Sequence, residues 1–276
     1  MSATGLPVPP APAAPARTAT KVPGWAARRT LALVERNLMI YRRSITPLLA
    51  MLVEPIMYLL SVGIGVGVLV GAVPGVHVRY ASYVAPAILA TTAMNTAFNQ
   101  TSFGVFIRIR LEQTYEAIVP TPLSVTDIAL GEVISAVLNA VLTSIGFLVV
   151  LAVLGLIVSP GILVALPAAV LIGYAFAAGG LAVTTYLRDF SDFQLIQLVM
   201  LPMYLFATTF YPLSVYPGWL RPLIEILPLY QSIQLVREPA LGTFTWSALI
   251  PMGYLVAFGT IALAIAARRM TRMLLH

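Results

Sequence analysis

The sequence has 276 residues, of which 59% are hydrophobic and 9% are charged, and its formal net charge is +6. A soluble domain carries about 25% charged residues, so this composition excludes a water-soluble core and predicts an all-α membrane protein with several spans. The chain has no cysteine, and His77 and His276 are far apart in the sequence, which excludes disulfides and a paired-imidazole site.

Two segments precede the apolar spans. Residues 1–24 include six prolines among alanine, threonine and serine, a composition typical of a disordered tail. Residues 25–44 have apolar side chains at helical spacing on one face and Arg29, Arg36 and Arg43 on the other. This pattern predicts an amphipathic helix in the membrane interface. An amphipathic helix packed on protein would show the same pattern.

The remaining chain, 45–276, contains six apolar segments that are long enough for membrane-spanning helices of about 20 residues. They are residues 45–70, 83–106, 128–155, 162–187, 194–212 and 247–267. An even number of spans places both termini on one side of the membrane. If that side is cytoplasmic, only Arg79, Arg221 and Arg237 of the 16 basic residues lie outside. The positive-inside rule therefore predicts cytoplasmic termini and explains the net charge without nucleic acid.

Residues 211–242, between the fifth and sixth spans, are too apolar for a plain loop and are interrupted by five prolines. No stretch between these prolines is long enough to cross a bilayer. Tyr211, Tyr216, Trp219 and Tyr230 are suited to anchor the segment at the interface. The segment is predicted to form short re-entrant helices in the outer leaflet.

Polar side chains inside spans are costly and usually face protein or water. Glu54 lies in the first span, and Thr91, Asn95 and Asn99 form one helical stripe in the second. Glu54 fits either a gating group or a partner for backbone freed by Pro55. The stripe fits either helix–helix hydrogen bonding or a pathway, and the fifth span offers either an adaptable apolar wall or ordinary packing. The residues predicted to line a substrate pathway are Glu54, Tyr58, Thr91, Asn95, Asn99, Met203, Tyr204 and Phe210.

A polar stretch, residues 108–122, separates the second span from the third. Arg108, Glu112 and Glu116 recur at i, i+4 intervals and so share one helix face. Prolines end this helix, and Ser124-Val-Thr-Asp127 predicts a capping box that begins the third span. Such firm boundaries favour a short, rigid helix that docks on another protein over a solvated connector, which would not need them.

Three stretches suggest a family: ERNLMIYRRS with EPIMYLLSVGIGVG, then LEQTYEAIVPTPLSVTDIALGE, and YLFATTFYPLSVYPGWLRPLIEILPLYQSIQLVREPALG. In these stretches the sequence resembles the permease subunits of ABC-2 type exporters, particularly the NodJ and daunorubicin-resistance-like branch. The resemblance implies a homodimer, or a pair of related permeases, bound to two cytoplasmic ATP-binding cassette subunits in a bacterial inner membrane. It also implies export of an amphiphilic or hydrophobic substrate, such as a drug, a glycolipid or a lipid.

The resemblance further implies which segments contact the ATPase. The segment from Glu112 to Pro122 resembles the coupling helix that inserts into the ATPase, and RDFSDF (188–193) resembles a second cytoplasmic contact. The residues implied in coupling are Glu112, Tyr115, Glu116, Ile118, Pro120, Pro122, Asp189 and Asp192. ATP and Mg²⁺ are then expected on the partner, with no cofactor and no catalysis on this chain. The only lysine, Lys21, is in the tail, so the chain lacks the Gly-x-x-x-x-Gly-Lys loop that binds ATP phosphates.

Two other function classes stay open on the residues alone. An ion-coupled secondary transporter would need buried acids within its spans, and Glu54 is the one strong candidate. An intramembrane enzyme would need a nucleophile beside a base. The sequence has no Gly-x-Ser-x-Gly motif and no histidine within a predicted span, which makes the enzyme the weaker alternative.

Overall fold

The computed structural model describes residues 46–70, 78–110, 125–243 and 246–274. Within these ranges the protein is built from helices and contains no strand, as the all-α prediction requires. The predicted tail and interfacial helix, residues 1–44, lie outside the described residues. The same is true of residues 111–124, which include most of the predicted coupling helix.

The first two long helices each contain a π-helical stretch. Helix α1 consists of Thr46–Tyr58, the π-helical Leu59–Val66 and a last turn over Gly67–Val70. Helix α2 consists of Tyr80–Asn99, the π-helical Gln100–Gly104 and Val105–Arg110. Short π-helical insertions occur frequently at functional sites. In both helices the insertion directly follows a residue predicted to line the pathway, Tyr58 in α1 and Asn99 in α2.

Six further helices complete the described chain. They are α3 (Val125–Val153), α4 (Ala165–Thr184), α5 (Phe193–Phe206), α6 (Arg221–Glu225), α7 (Pro228–Ala240) and α8 (Leu249–Leu274). Single turns of 3-10 helix precede α4, α5 and α8, at Pro160–Val164, Phe190–Asp192 and Trp246–Ala248.

Helices α1 to α5 and α8 overlap the six predicted spans, but their lengths and compositions differ. In the described ranges, four helices are long and apolar enough to cross a membrane: Ala50–Leu69, Thr126–Val153, Pro160–Thr184 and Trp246–Met273. The apolar helix Phe190–Phe206 is shorter. Helix α2 is not among the four because the polar stripe predicted in it lowers its hydropathy. The chain is therefore a multi-pass helical membrane protein, and its six-span topology stays a prediction.

The fifth predicted span ends earlier than the sequence suggested. It was expected to reach residue 212, but α5 stops at Phe206. The backbone of Thr208 has a φ of 62°, a left-handed conformation that is rare for a β-branched residue and that ends the helix. Short helices then follow in the predicted re-entrant segment: a 3-10 turn over Leu213–Val215, then α6 and α7. Whether they dip into the bilayer stays a prediction.

The core lies around α4, which contacts α2, α3 and α8. Glycines permit this close packing, because a Cβ atom on Gly180 would lie 2.8 Å from the carbonyl oxygen of Phe98. A Cβ atom on Gly259 of α8 would lie 3.1 Å from the Cα atom of Ala175. Larger side chains at these positions would separate the helices, as expected for helix contacts in membranes.

The ends of α2, α4 and α8 meet at one end of the bundle. The guanidinium of Arg110 donates to the carbonyl oxygen of Leu187 at 3.5 Å, and that of Arg269 donates to the carbonyl oxygen of Thr185 at 3.4 Å. We call this region, with Arg108, Arg110, Arg188, Arg268, Arg269 and Arg272, the basic end of the bundle. The positive-inside rule predicts that it faces the cytoplasm.

Helices α1 and α5 lie at the edge of the bundle and bury less of their surface. Their exposed large apolar side chains include Val53, Met57, Ile64, Val68 and Leu69 in α1 and Leu195, Leu198, Val199, Leu201, Leu205 and Phe206 in α5. Within a membrane such side chains can contact lipid or another protein without penalty. The two helices therefore form the least enclosed side of the described bundle.

Candidate functional site

A cavity of about 320 Å³ lies between α1, α2 and α5. Six of the eight predicted pathway residues line it: Glu54, Tyr58, Thr91, Asn95, Asn99 and Tyr204. They come from three helices that are distant in sequence, so the fold brings them together. Thr92, Thr96, Gln197 and Met200 also line the cavity and were not predicted.

The polar side of this cavity is the stripe along α2. Residues at i, i+4 and i+8 lie on one helix face, which places Thr91, Asn95 and Asn99 in a row. The Thr91 hydroxyl donates to the carbonyl oxygen of Ala87 at 2.9 Å, so its hydrogen is used within the helix. Asn95, Asn99 and Glu54 are exposed. Two amides and a carboxyl can therefore donate and accept hydrogen bonds in the cavity.

An aromatic cluster forms the apolar side. The rings of Tyr58 and Tyr204 lie edge to face with their centroids 5.6 Å apart. Phe210 stacks on Tyr58 at 6.2 Å and contacts Tyr204 edge to face at 5.4 Å. Phe210 therefore joins the predicted pathway residues through these two rings. Met203 does not join them, because it is buried on the opposite face of α5, where it lines a separate groove.

Buried polar groups of α3 support the α2 stripe from behind. The Asn139 amide donates to the side-chain oxygen of Gln100, and the Thr143 hydroxyl lies 3.4 Å from that of Thr96. Sequence reasoning missed this layer, although a signal was present. Glu132, Ser135, Asn139 and Thr143 recur at intervals of three and four residues on α3, and all four are buried.

A buried ion pair joins α2 to α3 at the basic end. Arg108, three residues before the first residue outside the described ranges, contacts Glu132 of α3. Their side chains are 18% and 1% exposed. The pair thus connects the two helices that flank the predicted coupling helix. The sequence placed Arg108 on one helix face with Glu112 and Glu116 and did not indicate Glu132 as its partner.

Four phenylalanines connect the end of α2 to the turn between α4 and α5. Phe106 lies edge to face with Phe190 and Phe193, with centroid distances of 5.1 and 5.2 Å. Phe103 contacts Phe193 in the same way at 5.4 Å. Such contacts contribute about 0.5–1.5 kcal/mol each beyond area burial. The RDFSDF stretch is therefore packed directly against α2.

The acidic residues of RDFSDF have different positions in that turn. The Asp192 carboxylate accepts hydrogen bonds from the backbone N–H groups of Arg188, at 2.7 Å, and Asp189, at 3.2 Å. These bonds, chiefly that from Arg188, hold the pKa of the Asp192 carboxyl below its usual value. Asp189 is exposed beside Phe190. Asp192 thus fixes the turn, and Asp189 lies on its surface.

Arg237 is a buried residue in the segment that was predicted to form re-entrant helices on the outer side. It is 5% exposed, and its guanidinium lies 4.2 Å from the centroid of the Tyr83 ring. It donates to the Tyr83 hydroxyl at 3.1 Å and to the carbonyl oxygens of Thr208 and Thr209 at 2.7 and 3.3 Å. Arg237 therefore holds the left-handed turn after α5 against α2.

Six of the eight residues implied in coupling belong to the predicted coupling helix. Glu112, Tyr115, Glu116, Ile118, Pro120 and Pro122 all lie outside the described residues. Across the part of the chain that the structure describes, no cluster of three histidine, cysteine or acidic side chains could hold a metal ion.

Comparison with known proteins gives one consistent result. A family model described as ABC-2 type transporter matches residues 28–241. Nodulation protein J of Rhizobium meliloti is 34% identical over 222 residues, which cover 80% of this chain and 83% of that protein. Nodulation protein J of Rhizobium leguminosarum bv. trifolii is 36% identical over 214 residues, or 77% and 81% of the two chains. That of Rhizobium leguminosarum bv. viciae is 32% identical over 248 residues, or 88% and 95%.

Proposed function

The chain belongs to the ABC-2 type transporter family, and from this premise we propose that it is the six-span permease subunit of an ATP-driven exporter. Members of this family are transmembrane subunits. ATP hydrolysis is assigned here to a separate cytoplasmic ATP-binding cassette subunit, which binds ATP and Mg²⁺. Both termini of the permease, the coupling helix and the basic end face that subunit.

The observation that carries the proposal is the two-sided cavity between α1, α2 and α5. Asn95, Asn99 and Glu54 provide polar groups on one side, while Tyr58 and Tyr204 provide aromatic surface on the other. A site with a few convergent polar groups and an apolar wall suits a ligand with a polar and an apolar part. The proposed substrate is therefore an amphiphilic molecule.

The size and position of the cavity support a dimer. Its volume of about 320 Å³ is at the lower limit of ligand sites, which hold about 300–1,000 Å³. It also lies at the least enclosed side of the bundle, where large apolar side chains of α1 and, on the cavity face of α5, Leu201 are exposed. We assign this side to contact with a second permease, either a copy of this chain or a related one. Two facing cavities would then form one pathway.

Two packed contacts provide a route from the ATPase to the cavity. The Arg108–Glu132 ion pair links the helices on both sides of the coupling helix. The phenylalanine cluster links the RDFSDF turn to α2, which carries the polar stripe. Motion is transmitted through elements that move as units. Movement of either cytoplasmic contact is therefore expected to move α2 and change the cavity.

The test of the cavity uses the permease reconstituted with its ATPase subunit and a panel of amphiphiles. Asn95→Leu combined with Asn99→Leu removes two hydrogen-bonding groups, each with a net value of about 0.5–1.5 kcal/mol. We expect the amphiphile concentration for half-maximal ATPase stimulation to rise about tenfold, with unchanged basal activity. Thr260→Leu is the control, because Thr260 is exposed on α8 and its hydroxyl bonds to its own helix. Equal responses of both variants would contradict the assignment.

The topology is tested separately with single cysteines in this cysteine-free chain. A cysteine at Gly75 should react only with reagents added outside the cell, and one at His276 only with reagents that reach the cytoplasm. Labelling of both from the same side would refute the six-span arrangement. Transport driven by an ion gradient without the ATPase, and abolished by Glu54→Gln, would support the secondary-transporter alternative instead.

A further inference from the structure

A second, larger groove lies on the other face of α5. Its volume is about 1200 Å³, and it runs between α5, α4, α8 and the short helix α6. Val199, Met203 and Phe206 of α5 and Phe258 and Ile261 of α8 are among the side chains that line it. Helix α5 therefore separates the polar cavity from a groove that is apolar along almost its whole length.

The groove is long enough to hold an acyl chain. It follows α5 from Asp192 to Phe206, which at 1.5 Å per residue is roughly 20 Å. The hydrocarbon of one leaflet is about 15 Å deep, half of the bilayer core. The volume also exceeds the roughly 1,000 Å³ of a large drug-sized pocket. An elongated apolar ligand fits these dimensions better than a compact one.

Charge distinguishes one end of the groove from the other. Tyr186, Leu187 and Arg188 line it at the basic end of the bundle. The Arg269 guanidinium lies 3.6 Å from the centroid of the Tyr186 ring, and Arg110 donates to the Leu187 carbonyl. Asp192 also lines this end, and its carboxylate accepts two backbone hydrogen bonds, so one negative charge stands beside Arg188, Arg110 and Arg269. The Arg188 side chain is exposed there.

From these features we propose that the groove binds an anionic diacyl phospholipid, with its acyl chains along α5 and its phosphate at Arg188. An apolar groove that Arg188 lines at one end, with Arg110 and Arg269 in contact with Leu187 and Tyr186 of the same end, is complementary to a molecule that has an apolar body and an anionic head. The site is separate from the export cavity, and the bound lipid is a resident molecule that covers α5. The proposal depends on the membrane location but not on the identity of the exported substrate.

The test measures lipid binding to the purified, delipidated full-length permease by native mass spectrometry. The probes are phosphatidylglycerol and phosphatidylcholine with identical acyl chains. We expect phosphatidylglycerol to bind at least fivefold more tightly. Arg188→Gln should weaken the binding of phosphatidylglycerol about fivefold, which is the contribution of one arginine near an anionic lipid. The affinity for phosphatidylcholine should stay unchanged. Arg79→Gln is the charge control, because Arg79 is exposed, does not line the groove and precedes α2 at the end opposite to Arg110.

A second pair of variants tests the groove itself. Val199 is 66% exposed in the groove and Val149 is 58% exposed on α3, outside it. Val199→Trp should weaken the binding of both lipids, and Val149→Trp should weaken the binding of neither. Both variants should keep the wild-type melting temperature. Equal affinities of the wild type for the two lipids would overturn the proposal. Loss of self-association by Val199→Trp with unchanged lipid binding would also overturn it, because the groove would then be a protein interface.

Discussion

The ion pair between Arg108 and Glu132 allows a quantitative test of how α2 and α3 are held together. Both side chains are largely removed from solvent, with 18% and 1% exposed. Removal of one partner from such a pair takes the opposite charge away from a buried charged group and costs about 3–5 kcal/mol. Arg108→Met and Glu132→Leu are therefore each expected to reduce the free energy of unfolding by about this amount. This change corresponds to a decrease of roughly 10 °C in the melting temperature.

The double variant distinguishes the pair from its separate residues. Replacement of both charges by apolar side chains of similar volume is often neutral or stabilising, so the double variant should unfold close to the wild type. A double-mutant cycle then gives a coupling energy of several kcal/mol, well above the few tenths expected for independent sites. Arg110→Met is the control, because Arg110 is exposed two residues away, and it should cost less than about 1 kcal/mol.

The assay is reversible unfolding of the purified permease in detergent micelles, followed by tryptophan fluorescence. The ion-pair account would be refuted if the decreases were additive, that is, if the free energy of unfolding of the double variant fell by the sum of the two single decreases. Single variants within about 1 kcal/mol of the wild type would also refute it, because the pair would then behave like an exposed one.

Three further predictions concern other contacts. Charge reversal at Glu112 and Glu116 should weaken co-purification with the ATPase subunit or uncouple its hydrolysis from transport, with membrane insertion unchanged. Arg237→Met should lower the free energy of unfolding by about 3 kcal/mol, because the Thr208 carbonyl and the Tyr83 hydroxyl lose a charged donor, and Arg237→Lys should recover part of it. Asp192→Asn should lower the melting temperature at pH 6, and its difference from the wild type should shrink as the pH falls below about 4.

The sign of the last prediction follows from the lowered pKa of Asp192. A carboxyl with a lower pKa in the folded state stabilises it above the unfolded pKa, and this stabilisation is lost as the pH falls through the folded pKa. A difference in melting temperature between Asp192→Asn and the wild type that stays constant from pH 6 to pH 3 would contradict this prediction. Normal ATPase association after both charge reversals, together with Tyr115→Ala and Ile118→Ala, would contradict the coupling assignment. Equal stability of Arg237→Met and the wild type would contradict the role given to Arg237.

Apolar length and helical period account for what the sequence could predict. Runs of apolar residues predicted where α1 to α5 and α8 lie, and among the described residues four helices are long and apolar enough to cross a bilayer. The period of 3.6 residues placed Thr91, Asn95 and Asn99 on one face, and these residues line the cavity together. The depth of Glu54 in the first span was likewise sufficient to indicate that it faces something other than lipid.

Helix rotation and distant pairing account for what the sequence could not predict. Helix α5 is apolar on nearly all sides, so its sequence does not show that Tyr204 faces the cavity while Met203 faces the groove. The contact between Arg237 and Tyr83 joins residues 154 positions apart, and no local pattern encodes it. The polar stripe on α3 differs from these cases, because its spacing was visible and could have been used.

The central claim, that the chain is a permease driven by a partner ATPase, is tested most directly by transport in proteoliposomes. The permease and its ATP-binding cassette subunit are reconstituted together, and accumulation of a labelled amphiphile is measured after ATP is added outside. We expect accumulation that requires both subunits and that is abolished when the phosphate-binding lysine of the ATPase is replaced. Accumulation by the permease alone, or accumulation unaffected by that replacement, would contradict the account.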